Sequence, residues 1–358
     1  MSVVVLKSGL LTTLQDRGRR GLAALGIGHA GPMDEVSFRL ANALVGNDDS
    51  ATALEITLLG PRLRFDADAV IALTGAEFPA RIDDFEIPAW QPLRVAAGAV
   101  LDIGNARRGA RGYLAVADGF VVERTLGSAA TDVNARIGPL RGRALATQDA
   151  LALSEGAASA AMPFGSSRDS ATEASPLKPL LPEPSAGLRP PSSPQNVSIP
   201  AWSLDPRPWF DSDPARPIRL IRGAHFDALD AASRAALFDA EFRIASESNR
   251  VGFRLDGPRL ALAAPLELVS APVASGTLQL PPGGQPIALM VEHPTTGGYP
   301  RIGQIATIDL PRLAQRRSGE RVRFREISLD EAQTRYLERE RELARLFDAI
   351  ATRLNAND

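Results

Sequence analysis

Apolar residues along this chain recur mostly in short runs bounded by Gly, Pro or Asp, a pattern of strands rather than helices. Strands are predicted on that basis at residues 3–6, 53–59, 69–73, 113–116, 218–221, 287–291 and 304–308. Three stretches follow the 3.6-residue period instead. At 33–45, Val36, Leu40, Ala43 and Leu44 share one face and predict a helix. A second helix is predicted at 228–238. The third, at 329–354, carries Ala332, Tyr336, Leu343, Leu346, Phe347, Ile350 and Leu354 near that period and is expected to cap its own domain. The fold class is therefore mainly β with a few helices.

One stretch has no periodicity. Residues 157–217 hold 13 of the 28 prolines and 11 serines, too proline-broken for helix or central strand. They predict a largely disordered Pro/Ser-rich linker between an N-terminal domain, 1–156, and a C-terminal domain, 218–358. Trp202 and Trp209, near its end, are candidates for local docking. Gly60-Pro-Arg-Leu-Arg-Phe65 recurs as Gly257-Pro-Arg-Leu-Ala-Leu262, each after an apolar segment. The repeat is consistent with two related β-rich domains and a ligand cleft between them.

Composition narrows the function. At 44% hydrophobic and 23% charged, the 358 residues suit a soluble globular protein. A formal charge of −2 gives no electrostatic reason to bind nucleic acid or an anionic membrane. With no cysteine, disulfides, thiol nucleophiles, thiolate zinc sites and iron–sulfur clusters are excluded. The three histidines, His29, His225 and His293, are scattered, and no metal site is expected. Lys7 and Lys178 are the only lysines, and neither lies in a Gly-x-x-x-x-Gly-Lys loop. A phosphate-binding P-loop is thereby ruled out, and with Lys7 in the first predicted strand and Lys178 in the proline-rich stretch, Schiff-base chemistry and covalent biotin are not expected here either. The apolar stretch within residues 1–7 is too short for a secretory signal, and no run approaches the roughly 18 residues of a membrane span. A cytoplasmic protein is expected.

Three polar loops are candidates for chemistry. Gly26-Ile-Gly-His-Ala-Gly31 spells a dinucleotide-binding fingerprint, with Glu55 downstream, but the stretch before it is irregular where that fold needs a strand. What remains is a loop rich in backbone N–H groups, with Asp34 at a helix start where the dipole favours an acid. His29 in that loop suits either substrate contact and proton transfer or a plain surface position. The segment Thr12-Thr-Leu-Gln-Asp-Arg-Gly-Arg19 is either a polar turn or a ligand-facing surface, with Arg19 suited to a carboxylate or phosphate. Glu292-His-Pro-Thr-Thr-Gly-Gly-Tyr-Pro300 sets an acid, an imidazole and two hydroxyls just past a predicted strand, where loops commonly carry binding groups. A structural turn would use the same residues. Ser246-Glu-Ser-Asn-Arg250 and Gln279-Leu-Pro-Pro-Gly-Gly-Gln285 add further polar side chains.

Taken together, these motifs resemble the biotin-dependent carboxyltransferase family. The resemblance runs through Thr12–Arg19, His29-Ala-Gly-Pro-Met-Asp34, Ala41-Asn-Ala-Leu-Val-Gly-Asn47, Leu54-Glu-Ile-Thr57 and Ala72-Leu-Thr-Gly-Ala76. It continues in Ser248-Asn-Arg-Val-Gly-Phe-Arg-Leu255, Gly284-Gln-Pro-Ile287, Thr295-Thr-Gly-Gly-Tyr-Pro300 and Leu313-Ala-Gln315. It covers essentially everything outside the Pro/Ser-rich stretch, which is longer here than is usual. Glu292 stands where many members have Asp.

The resemblance implies two cyclophilin-like β-barrel domains joined by the linker. The nearest branch is the C subunit of bacterial 5-oxoprolinase, which implies ATP-dependent opening of 5-oxoproline to L-glutamate, with the A and B subunits of that enzyme as partners. ATP would be used by the complex, and this chain would be inactive alone. Other branches are the carboxyltransferase domain of a biotin-dependent urea carboxylase and a regulatory protein that antagonises a kinase inhibitor. The loops at 12–19, 26–34 and 292–300 are expected to converge on one cleft. Glu292, His293 and His29 would serve as acid–base groups. Gln15, Asp16, Arg19, Asp34, Asn249, Arg250, Gln285, Thr295, Thr296, Gly297, Gly298 and Tyr299 would bind a small-molecule substrate.

Overall fold

The computed structural model describes residues 1–154 and 196–355, and they are mainly β with a few helices. They divide into two compact units. The first comprises residues 1–17, 35–210 and 342–358, and the second 18–34 and 211–341. This differs from the boundaries that composition suggested, because an early loop belongs to the second unit and the end of the C-terminal helix to the first.

The first unit contains a six-stranded and a seven-stranded sheet. In the six-stranded sheet, Leu11–Gln15, Ala53–Thr57, Arg108–Val116 and Ala69–Glu77 are antiparallel neighbours. Alternation sorts their side chains. Leu54, Ile56, Ile71, Leu73, Leu114 and Val116 face one core, shared with Val3, Val5, Leu63 and Phe65 of the seven-stranded sheet. Ala53, Val70, Ala72, Tyr113 and Ala115 face the other, against the helix Glu35–Leu44 through Val36, Phe38, Leu40 and Leu44. Burial on both faces explains why 53–57 and 69–73 read as unbroken apolar runs. Glu55 is the exception in that run; it lies on the helix-facing side, buried, and accepts a hydrogen bond from the Tyr113 hydroxyl at 2.8 Å.

The helix Leu329–Asn355 does not simply cap its own domain. Leu343, Leu346 and Ile350, one turn apart in succession, join the core beneath Glu35–Leu44, and the Arg39 guanidinium lies 5.1 Å from the Phe347 ring centre. Where it is described, the Pro/Ser-rich stretch is packed against the first unit, and Trp202 and Trp209 dock as the sequence allowed. Val197–Ser198 pairs with Pro92–Val95, and Trp202, Leu204 and Trp209 are buried in the same helix-side core. Proline bars these residues from helix, but an extended segment can still bury its aromatic rings. The remainder of the expected linker, residues 157–195, lies outside the described residues.

The second unit is built on one eight-stranded sheet and a two-stranded ribbon. Its core includes Ile218, Leu220, Phe242, Phe253, Leu278, Ile302 and Phe324, and it also takes Met33 from the early loop. The helix Ala231–Asp239 starts at Asp230, whose carboxylate accepts the Ser233 N–H and satisfies a first-turn donor. The six-residue repeat does not make the same structure twice. Arg62–Phe65 is a strand, whereas its counterpart contributes an isolated bridge from Leu262 to Leu229. Among the described residues, no helix is long and apolar enough to cross a membrane.

Asp309, fully buried, ties this unit together. Its carboxylate accepts the Arg219 backbone N–H and guanidinium at 2.6–2.9 Å, and Arg312 at 3.2 Å. Burial pushes the carboxyl up, but hydrogen bonds from Arg219 and the charge of Arg312 outweigh it and hold Asp309 below its ordinary range.

Two substitutions test this packing. Leu346→Ala is expected to lower unfolding free energy by about 2–4 kcal/mol in urea titrations, since it empties a closed site between two helices. Asp309→Asn is expected to cost about 3–5 kcal/mol at neutral pH, leaving the Arg219 guanidinium without its carboxylate and Arg312 with Asp211 alone. Because the folded pKa of Asp309 is depressed, its stabilisation is complete above about pH 4 and is lost as pH falls through the lowered value. The acid limb of a stability–pH curve is therefore expected to be shallower in Asp309→Asn than in the native protein.

Candidate functional site

In the second unit, residues 18–34 form an irregular loop that closes on itself. The Arg19 N–H donates to the His29 carbonyl at 2.7 Å. Gly18 sits at φ +81°, and a Cβ there would lie 2.6 Å from the same carbonyl oxygen, so only glycine fits. Arg19 is buried beneath this clasp. Beyond it, the Ala30 N–H donates to the Val291 carbonyl at 3.1 Å, which joins the loop to the 292–300 segment.

Arg250 locks that junction. Its Nη2 donates to the Gly31 carbonyl at 2.7 Å and its Nε to Glu292 Oε1 at 2.5 Å. The Glu292 N–H returns to the Arg250 carbonyl at 2.9 Å. Both side chains are buried, at 4% and 0% exposure, so the charges meet with little solvent screening. At the end of the loop, Gln315 Nε2 donates to Asp34 Oδ2 at 2.7 Å, again with both groups buried.

Both histidines of the two loops present the same edge. His29 Nδ1 lies 2.8 Å from the Ala30 carbonyl and His293 Nδ1 lies 2.7 Å from the Pro294 carbonyl. A carbonyl only accepts, so Nδ1 carries the proton in each and Nε2 keeps its lone pair in the neutral ring. Thr296–Gly297 forms a two-stranded ribbon with Ala271–Pro272, leaving Thr296, Gly298 and Tyr299 exposed and Thr295 half-buried. A Cβ on Gly297 would lie 2.3 Å from the Gln279 amide nitrogen. That buried Nε2 has no hydrogen-bond partner.

The structure thus brings Arg19, His29, Asp34, Arg250, Glu292 and His293 into connected segments of one unit. Two other expected binders are used locally. Asn249 Oδ1 accepts the Val251 N–H, and Gln285 clasps Gly257 through both its amide atoms at 3.0 Å. Gln15 and Asp16 belong to the first unit. Gln15 Nε2 donates to Thr13 Oγ1 and the Thr131 carbonyl, which leaves its buried Oε1 without a donor. Asp16 accepts from the Ser128 hydroxyl and the Ala129 N–H, holding the 128–129 turn. Gln315 and Gln279 are site members that the expected binding set leaves out, although the sequence picks out the segments that hold them. Nothing about a lone glutamine near a helix end signals a buried acid as its partner. Among the described residues, no group of three or more His, Asp or Glu is placed to hold a metal ion.

The family model for the carboxyltransferase domain, subdomain A and B, matches residues 25–326. The chain is 36% identical over 351 residues to the C subunit of 5-oxoprolinase from Escherichia coli (strain K12), covering 98% of each chain. Identity to the corresponding C subunit of Haemophilus influenzae 5-oxoprolinase is 33% over 320 residues, 89% of each. The crystal structure of the Kluyveromyces lactis urea carboxylase superposes with a TM-score of 0.77 at 26% identity, covering 99% of this chain and 29% of that one. The chain therefore spans under a third of that larger protein. With its sequence matched nearly end to end by such relatives, and most of its length by the family model, the chain belongs to the family of carboxyltransferase domains with subdomains A and B.

Proposed function

We propose that this chain is the C subunit of an ATP-dependent 5-oxoprolinase, which works with the A and B subunits to open 5-oxoproline to L-glutamate and is inactive alone. The observation that carries this reading is the end-to-end correspondence with the Escherichia coli protein, 98% of both chains. We further take the units to be cyclophilin-like β-barrels, joined through the Pro/Ser-rich stretch, and the protein to be cytoplasmic. ATP is used by the complex without a site assigned on this chain, and no covalent biotin is carried here.

The chemistry asked of such a complex is demanding. A five-membered lactam is an unreactive amide; transfer of a phosphoryl group from ATP to its oxygen activates the carbon. Water then adds there, the ring C–N bond breaks as the nitrogen takes a proton, and a second water releases phosphate from the resulting acyl phosphate to leave glutamate. Charge develops on oxygen along this path, so hydroxyls, amides and guanidiniums are the groups of use. In this reading the exposed Thr296 hydroxyl and the Gly297–Gly298 amides contact carboxylate or phosphate, with Thr295 and Tyr299 beside them. Arg19 orients an anionic group, and His293 or His29 accepts a proton at Nε2. Glu292, buried against Arg250, acts as a positioning residue for the His293 loop.

The second reading is a carboxyltransferase acting on biotin carried elsewhere, with urea as acceptor; the 0.77 TM-score to the urea carboxylase favours it. Co-purification with candidate A and B subunits, followed by glutamate release from 5-oxoproline, decides between them. Binding of free biotin without turnover points to the second reading. Complex formation without any turnover points to a regulatory protein.

In the reconstituted complex, Thr296→Ala is expected to lower 5-oxoproline-dependent ADP formation about tenfold or more, the loss of one hydrogen bond to a charged group. Unchanged turnover would remove Thr296 from the site. Arg250→Ala is expected to destabilise by about 3–5 kcal/mol, because it leaves Glu292 buried and unneutralised. Adding Glu292→Gln to it should restore part of that loss, with a coupling of about 1–3 kcal/mol in a denaturation cycle. A Glu292→Gln variant of native stability but without activity would instead make Glu292 an acid–base group.

A further inference from the structure

Strands Ile218–Arg222 and Phe324–Glu326 run parallel, with Arg219 directly beside Arg325. Like charges in that position repel unless something offsets them. Arg219 has its offset in Asp309, which it grips through Nε and Nη2. Arg325 is exposed and, among the described residues, makes no ion pair.

Beside these two arginines opens a cavity of about 250 Å3 whose wall also takes Arg216, Arg312 and Arg335. Arg216 and Arg312 reach Asp211 at 3.1 Å, and Arg312 also reaches Asp309. Arg312 Nη2 nevertheless remains buried without a hydrogen-bond acceptor. Arg335 pairs with Glu331 one turn earlier, with both side chains about half exposed, a contact readily exchanged for a stronger one. Glu326, the other acid of the wall, is held by Arg222. Five guanidiniums thus stand against four carboxylates, two of them (Asp211 and Asp309) behind the wall.

The exposed donors, on Arg325 and Arg335, come from different elements, a strand and the long helix. A planar carboxylate matches one guanidinium fork, whereas a tetrahedral oxyanion accepts several from different directions. The volume suits a group of that size rather than a nucleotide. We propose that this cavity binds a compact tetrahedral oxyanion, either orthophosphate or the phosphate of a small phosphomonoester. The site is separate from the loops of the candidate functional site and does not depend on the activity proposed for them.

Isothermal titration calorimetry on the full chain at fixed ionic strength tests it, using orthophosphate, glycerol phosphate and glutamate as probes. Saturable one-site binding of orthophosphate or glycerol phosphate is expected, and the tighter of the two identifies the source. Arg325→Ala and Arg335→Ala are each expected to weaken it at least tenfold, with Arg325→Lys retaining part. Both positions are exposed, so thermal melting of the variants should stay native. No saturable binding of either phosphate, affinity unchanged in both alanine variants, or glutamate binding as tightly as phosphate would each overturn the proposal.

Discussion

The second unit depends on a guanidinium that cannot be hydrated. Arg250 lies buried between Glu292 and the Gly31 carbonyl, so three chain segments distant in sequence converge on its donors. Taking both charges out of water costs about as much as their attraction returns, so the pair is a weak source of net stability. Its value lies in geometry. A planar fork with fixed N–H directions is satisfied by one arrangement of acceptors. That arrangement sets the start of the His293 loop against the end of the His29 loop, which the Ala30–Val291 hydrogen bond then continues. A hydrophobic contact at the same place would tolerate a slipped loop; the ion pair does not.

Much of the fold was legible because strand burial leaves a simple trace. Residues 53–57 and 69–73 were readable as strands from largely apolar runs, and those runs arise because one sheet is covered on both faces. The helix over 35–44 was equally plain from its period. Partnership was not legible. The stripe of Leu343, Leu346 and Ile350 announced an amphipathic helix but carried no label for the core it enters, and the unit it joins had to come from coordinates. Composition misled where it stood in for contacts. Prolines around 200–214 do forbid helix, yet Trp202 and Trp209 are large enough to anchor an extended chain by themselves.

The site divided along a similar line. Which loops matter was visible as unusual concentrations of polar residues and glycine. Which side chains are free to meet a ligand was not, because a polar group in a tight loop first satisfies the backbone around it. Asn249 and Gln285 show this, each bonded to main-chain atoms close at hand, and Asp16 does the same for a turn more distant in sequence. Glu292 looked like an acid–base group from its neighbours in sequence; its partner, 42 positions away, changes what it is available to do.

The scarcity of lysine acquires a physical sense in this light. Two lysines stand against 38 arginines, and neither lysine lies in a phosphate-binding loop. In the structure, arginine is used where a lysine ammonium would fail. Arg316 is 1% exposed and donates to the carbonyls of Ser212, Asp213 and Arg216, three acceptors fanned around one plane. Burial pushes its pKa down, yet the guanidinium starts so high that it stays charged. A lysine in that position would be prone to release its proton and lose its donors' strength. The same property makes a wall of arginines a durable anion receptor: its charge persists through burial, and each fork holds one direction. A chain rich in arginine and poor in lysine can thus keep charges in buried places where an ammonium would be discharged.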